Sequence, residues 1–368
     1  LLRSPISRAF LLAGISLLAI IPFLWSGIPS GHDFEFHMFS WMEVNTQWSH
    51  GIPYPRWASL AHWGYGEARF LFYPPASWTL GAALGAILPW TLVPAAYCWL
   101  VLTLAAASMY RLAREWLQPA DALFAAGFYA LNPYHLLIVY WRSAYAELLA
   151  AGLLPLLVLC LLRVYDPDSG FRPTLWLSLT LGAAWLTNAP AAIMIHYSAA
   201  GLALLLAVML VLKGGHRPGQ RPPVAPPLLK TAAAVLLGAG LASFYLIPAI
   251  YEQRWINLAE VLSPGVRPQD NFLFTTIADP DHNRFNLLVS TVALIEIAAL
   301  LVAVVVSYFR RIKHASPPER VPGALLWKLL SAWGLATVIV MLSVSNPLWL
   351  HLPKFRFVQL PFRWLLCM

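Results

Sequence analysis

The sequence predicts an all-α fold, a polytopic bundle of about ten membrane-spanning helices. Three observations predict it. Of the 368 residues, 60% are hydrophobic and only 11% are charged, where a soluble domain carries roughly 25% charged residues. Mean hydropathy is +0.66. The 17 Trp and 14 Tyr suit interfacial belts, in which amphipathic rings sit at headgroup level.

Apolar runs of about 18 residues or more are the candidate spans. They cover 9–28, 92–113, 119–140, 146–164, 230–250, 286–309 and 325–345. A double run over 174–213 is broken near Thr187–Pro190, and a last run starts near 357. The first run follows Arg3 and Arg8 and lacks a small-x-small cleavage site, so it reads as a retained anchor rather than a signal peptide. The chain opens without Met and stops inside an apolar run, as a fragment of a longer protein would. These runs form one membrane domain over 1–368.

Cations in short loops set orientation. With the N-terminus cytoplasmic, the inner segments hold Arg111, Arg114, Lys213, Arg217, Arg221, Arg310 and Arg311, among others. Most of the 16 acids then fall outside, including Asp33, Glu35, Glu43, Glu147, Asp279 and Asp281. The first outside loop runs over 29–91 and carries helices lying on the membrane; residues 73–88 are apolar but too short to span. A Pro-rich linker covers 214–227 on the cytoplasmic side, and another outside loop covers 252–284. The net charge of +8 is therefore a topology signal. Nucleic-acid binding would need a basic face with aromatic platforms. Cys98, Cys160 and Cys367 all lie in apolar runs with no CxxC or Cys/His spacing, which makes them packing residues.

Several polar clusters stand out against this background. In "SGHDFEFHMFSW", a helix starting near His32 puts Asp33 and His37 on one face. Glu35 joins Asp33 on one ligand only if the helix starts later. An acid here could orient an acceptor hydroxyl, take its proton or help bind a divalent cation such as Mg or Mn. The structural alternative is an N-cap Asp at the start of an interfacial helix, with Phe34, Met38 and Trp41 in the headgroups. In 51–75, turn residues and aromatics alternate with Arg56, His62, Glu67 and Arg69, either lining a sugar-phosphate site or forming a proline-fixed interfacial loop.

Arg142 and Glu147 sit on a connection of only a few residues between two spans. A charged pair so close to the bilayer is costly unless it is partnered or functional. Asp279, Asp281 and His282 read as metal ligands or, more simply, as an Asp-Pro-Asp helix start. Glu296 falls well inside its span, a functional candidate by position. Lys354, Arg356 and Arg363 collect at the outside mouth of the last run, where they could hold a phosphate or simply anchor the interface.

The stretches "GIPYPRW", "FYPP", "NPYHLLIVYWRSAYAE" and "LPKFRFVQLPFRWLL", in this order after an acid-bearing first loop, resemble bacterial membrane proteins labelled "6-pyruvoyl-tetrahydropterin synthase-related, membrane domain". That label is no guide to activity, because a pterin synthase is a soluble zinc enzyme and this chain has no His cluster. The layout is more distantly similar to the GT-C glycosyltransferases. This resemblance implies transfer of a sugar from a polyprenyl-phosphate-linked donor to a glycan, lipid or protein acceptor outside a bacterial inner membrane. By the same resemblance Asp33 or Glu35 matches the first-loop acid and Glu147 the second. His37, Arg56, Arg142, Arg356 and Arg363 are the substrate or phosphate ligands, and Asp33, His37 and Glu147 the candidate cation ligands. The second motif is Arg142-x4-Glu147 where relatives carry paired acids. The rival readings are a flippase for lipid-linked glycans and a non-catalytic scaffold for envelope assembly.

Overall fold

In a computed structural model describing residues 4–214, 224–313 and 323–368, the chain is all-helical and has no strand among the described residues. Among the described residues, five helices are long and apolar enough to cross a membrane: Val93–Ala113, Pro119–Arg142, Tyr145–Val164, Ala189–Leu212 and Pro280–Val306. Two bent pairs, Ala225–Leu241 with Ser243–Trp255 and Leu326–Val340 with Ser343–His351, raise the number to seven if each is one span. This is a multi-pass membrane protein. Most of the Pro-rich linker expected over 214–227 lies outside the described residues.

The difference from ten has local causes. The 9–28 run yields the helix Pro5–Leu18 and a single turn, Phe23–Ser26. Pro22 and the left-handed Gly27 (φ 76°) bound that turn, and a proline cannot donate to a helix ladder. The double run breaks at Asn188, and its first half, Arg172–Thr187, has only 16 residues. The final run forms 3₁₀ turns, Phe355–Val358 and Pro361–Cys367, with Lys354 and Gln359 in left-handed conformations. The 73–88 stretch is the short helix Pro75–Gly85, opened by Pro74 and Pro75, as prolines favour at a helix start.

The helices pack as two units. The first comprises 1–156, 182–192 and 238–256. Here the Val93–Ala113 helix packs on Pro5–Leu18 and Pro119–Ala130 through Leu12, Ala106, Leu123, Ala126 and Ala130. Such small residues let helix backbones approach where lipid provides no hydrophobic drive. The Phe34–Ser49 helix lies against Pro75–Gly85. Trp41 stacks on Tyr97 at 4.7 Å and on Tyr145 at 5.3 Å. A Cβ on Gly81 would collide with that indole. Trp41 is thus a core residue, not a headgroup anchor as in the interfacial-helix alternative.

The second unit comprises 157–181, 193–237 and 257–368. Its core includes the ring chain Phe272, Trp349, Phe355 and Trp364. Its 265–290 segment is fastened by side chains that cap backbone groups. Asn271 donates to the Gly265 and Arg267 carbonyls, and Asn286 donates to those of Phe272 and Thr275.

Candidate functional site

The site of the first unit is assembled at the turn between two spans. Leu131 leaves helical geometry, and Asn132 and Pro133 restart the helix, with Asn132 Oδ1 accepting from the His135 amide at 2.7 Å. An Asn cap followed by proline at the first helical position is a strong start signal. The helix then widens into a π turn over Ile138–Arg142 and ends at Ser143, in the left-handed region at φ 50°. Ser143 is fully buried, and its hydroxyl accepts from the Gly31 amide at 3.0 Å. The next helix starts at Tyr145.

That geometry turns Arg142 and Glu147 towards each other. Arg142 Nη1 donates to Glu147 Oε2 at 2.8 Å, and the two residues are 4% and 1% exposed. The Tyr134 hydroxyl donates to Glu147 Oε1 at 2.5 Å and accepts from Arg142 at 3.1 Å. Each charge is therefore paired and hydrogen-bonded, the condition for keeping ions out of water. Tyr134 was not evident as a site residue from the sequence. No helical periodicity carries through a capped break and a π turn to connect it with Arg142.

The first outside loop is fastened to this turn. The His32 amide donates to the Trp141 carbonyl at 3.2 Å and the Asp33 amide to the Arg142 carbonyl at 2.8 Å. Gly31 makes the approach possible. A Cβ there would meet the Trp141 carbonyl and lie 2.7 Å from Ser143 Oγ. Asp33 thus stands beside the Arg142–Glu147 pair with its side chain still 35% exposed. Burial pushes its carboxyl pKa up, but the hydrogen bond from His32 and the Arg142 charge outweigh burial and leave it below the usual carboxylate range.

The helix starts at Phe34, with Asp33 at the N-cap position. This is two residues later than the start near His32, and Asp33 makes no side-chain cap. Glu35 is exposed. His37 is 2% exposed, set among the rings of Phe36, Trp41, Tyr73 and Tyr145. Burial holds its pKa down to about 4 against the pull of Asp33. A neutral imidazole enclosed by rings has no charge to offer a phosphate. Among the described residues, no three His, Cys, Asp or Glu side chains gather closely enough to hold a metal ion. Asp33, His37 and Glu147 therefore do not form the expected cation cage, and Glu147 already serves Arg142 and Tyr134.

No protein-family model matches this chain, and no curated protein matches it.

The other expected residues take different places. Arg56 is exposed and lies 5.6 Å from the centroid of the Tyr54 ring. In the second unit, Arg356 is exposed beside the Phe357 ring, and Arg363 donates to the Val358 carbonyl at 2.7 Å. Asp279 accepts from the amides of Asp281 and His282 at 2.9 and 3.3 Å. That bonding is the helix-start alternative for "ADPDH". Glu43 is structural: the Ser59 hydroxyl, Gln47 amide and Ser59 amide bond its Oε1 at 2.7–2.9 Å. Burial raises its pKa and these bonds bring it below the ordinary value.

Proposed function

We propose that this protein is a GT-C-type membrane glycosyltransferase, related to the pterin-synthase-related membrane-domain proteins it resembles. It would move a sugar from a polyprenyl-phosphate-linked donor to an acceptor on the outer side of a bacterial inner membrane. One observation carries the reading: a partly accessible carboxylate, Asp33, is fastened by its own backbone to a buried Arg142–Glu147–Tyr134 triad.

In this reading Asp33 accepts the proton of the acceptor hydroxyl as that oxygen bonds to the anomeric carbon of the sugar. The bond from that carbon to the phosphate oxygen breaks, and the polyprenyl phosphate leaves with the electron pair. The depressed pKa of Asp33 keeps it ionised, ready to take a proton. In this reading Arg142 acts on Asp33 through its charge, while its Nη1 donates to Glu147 and Tyr134. Glu147 neutralises and orients Arg142. Arg356 and Arg363 belong to the second unit, where Arg356 is exposed and Arg363 donates to the Val358 carbonyl.

Mass spectrometry of lipid-linked and surface glycans tests the reading, in a deletion strain complemented with wild type, Asp33→Asn or Glu147→Gln. The expected result is a truncated envelope glycan with accumulated donor in both variants. An unchanged glycan profile in both rejects the reading. A donor that accumulates only on the cytoplasmic face points to a flippase instead.

A further inference from the structure

Away from the Asp33 face, the first unit holds a cavity of about 580 Å³ between the Phe34–Ser49 helix and the 58–69 segment. This size falls within the range of small-ligand sites. Phe39, Met42, Leu60, Ala61 and Trp63 form its apolar lining. Phe39, Met42, Glu43 and Thr46, which also line it, have the spacing of one helix stripe.

The polar groups at its wall are already satisfied. Glu43 is bonded by Ser59, Gln47 and Leu60. The Thr46 hydroxyl donates to the Met42 carbonyl at 3.0 Å. His62 pairs with Glu67 at 2.8 Å, and Arg69 pairs with Glu67 while bonding the Ser40 hydroxyl. A sugar or phosphate would have to compete with these internal bonds for partners. Glu67 is paired with Arg69 and His62, and Glu43 is held by hydrogen bonds from Ser59, Gln47 and Leu60, so with its apolar lining the cavity complements an uncharged, apolar occupant.

The rim points the same way. His62 and Trp63 are held at φ 51° and 56°, conformations unfavourable for side chains of this size. The Ala58–Glu67 bridge closes this loop. It presents Trp63 at 97% and Tyr65 at 86% exposure, with Leu60 also exposed. Exposed Trp and Tyr at such a site are the signature of a lipid headgroup zone.

We propose that this cavity binds a single hydrocarbon chain of a membrane amphiphile, with Trp63 at its mouth. The chain enters from the bilayer surface and lies along the Phe39–Met42–Thr46 stripe. The proposal is independent of the transferase reading, because the cavity lies on a different face of the helix from Asp33.

Photo-crosslinking in lipid nanodiscs tests it, with the full chain and two separate probes: a phosphatidylglycerol with a diazirine in its acyl chain, and a polyprenyl phosphate with a diazirine in its isoprenoid chain. The expected result is an adduct on Phe39, Met42, Leu60 or Trp63 from at least one probe; which probe labels identifies the source of the chain. Thr46→Trp and Met42→Trp fill the cavity from partly exposed positions and should each lower that adduct by about tenfold or more. Leu236 and Leu294, exposed on apolar helices, serve as internal labelling controls. Labelling confined to such controls, or an adduct at the cavity that both folded filling variants leave unchanged, overturns the proposal. If one variant fails to fold, the other decides.

Discussion

The backbone amide of Asp33 donates to the carbonyl of Arg142 at 2.8 Å, joining residues far apart in the chain at the end of a membrane span. The bond places an ionised, partly accessible carboxylate next to a buried guanidinium that is itself held by Glu147. Because the link is made through backbone, the Asp33 side chain can be changed without undoing it.

Under the proposed glycosyl-transfer reading, Asp33→Asn is therefore expected to fold normally and lose transfer. The substitution keeps the shape and the backbone bond but removes the proton acceptor, so the transfer rate should fall by about a hundredfold or more. Glycan turnover in membranes measures the rate, and thermal unfolding in detergent measures stability. An Asp33→Asn protein with full activity would remove this residue from the reaction.

Gly31→Val should act through position. The added side chain collides with the Trp141 carbonyl and the Ser143 hydroxyl, pushing the 29–33 segment off the turn. Overpacking of this kind costs about 1–3 kcal/mol. The expected outcome is a modest drop in thermal stability together with loss of transfer, although no titratable group has been altered. A variant that keeps full activity would show that the Asp33–Arg142 approach is not needed.

Glu147→Ala leaves Arg142 buried without its counter-charge. Breaking a buried pair from one side costs about 3–5 kcal/mol, whereas replacing both partners by apolar residues is often neutral. Arg142→Met combined with Glu147→Leu should recover much of the stability lost by Glu147→Ala, without recovering activity. Denaturation of the purified variants in detergent checks the stability order. If the double variant is as unstable as the single one, the ion pair is not the source of the cost.

Acid should destabilise the first unit through His37. Its pKa is held down to about 4 from 6.5. The folded state binds fewer protons than the unfolded chain within that window. The stabilising contribution is complete above pH 6.5 and is lost as pH falls towards about 4. His37→Phe, which preserves the ring contacts, should flatten that part of the stability profile. An unchanged slope between about pH 6.5 and 4 in the variant would show that His37 is not the source of the acid sensitivity.

The charged members of this cluster were conspicuous along the chain, though not its wiring. Asp33, Arg142 and Glu147 stood out because charges beside apolar runs are costly and therefore conspicuous. Tyr134 did not, since a tyrosine in an apolar run looks like packing until a π turn brings it onto the ion pair. The enclosure of His37 by rings was not legible either, because helix phase gives the face but not what covers it. The burial of Trp41 was hidden for the same reason. The rings of Tyr97 and Tyr145 that enclose it come from distant segments.

By itself, the sequence determined that this is an all-helical, multi-pass membrane protein, because a chain with 60% hydrophobic residues must satisfy its backbone polar groups within its own helices. It also marked the acids and cations near the ends of apolar runs. Only the tertiary structure decided how many of those runs stay straight, because prolines and left-handed residues break them in ways that hydropathy averages out. It alone decided which marked residues meet. Asp33 reaches Arg142 because Gly31 lacks a Cβ and Ser143 turns left-handed, and a close approach between distant segments leaves no periodic trace in the chain.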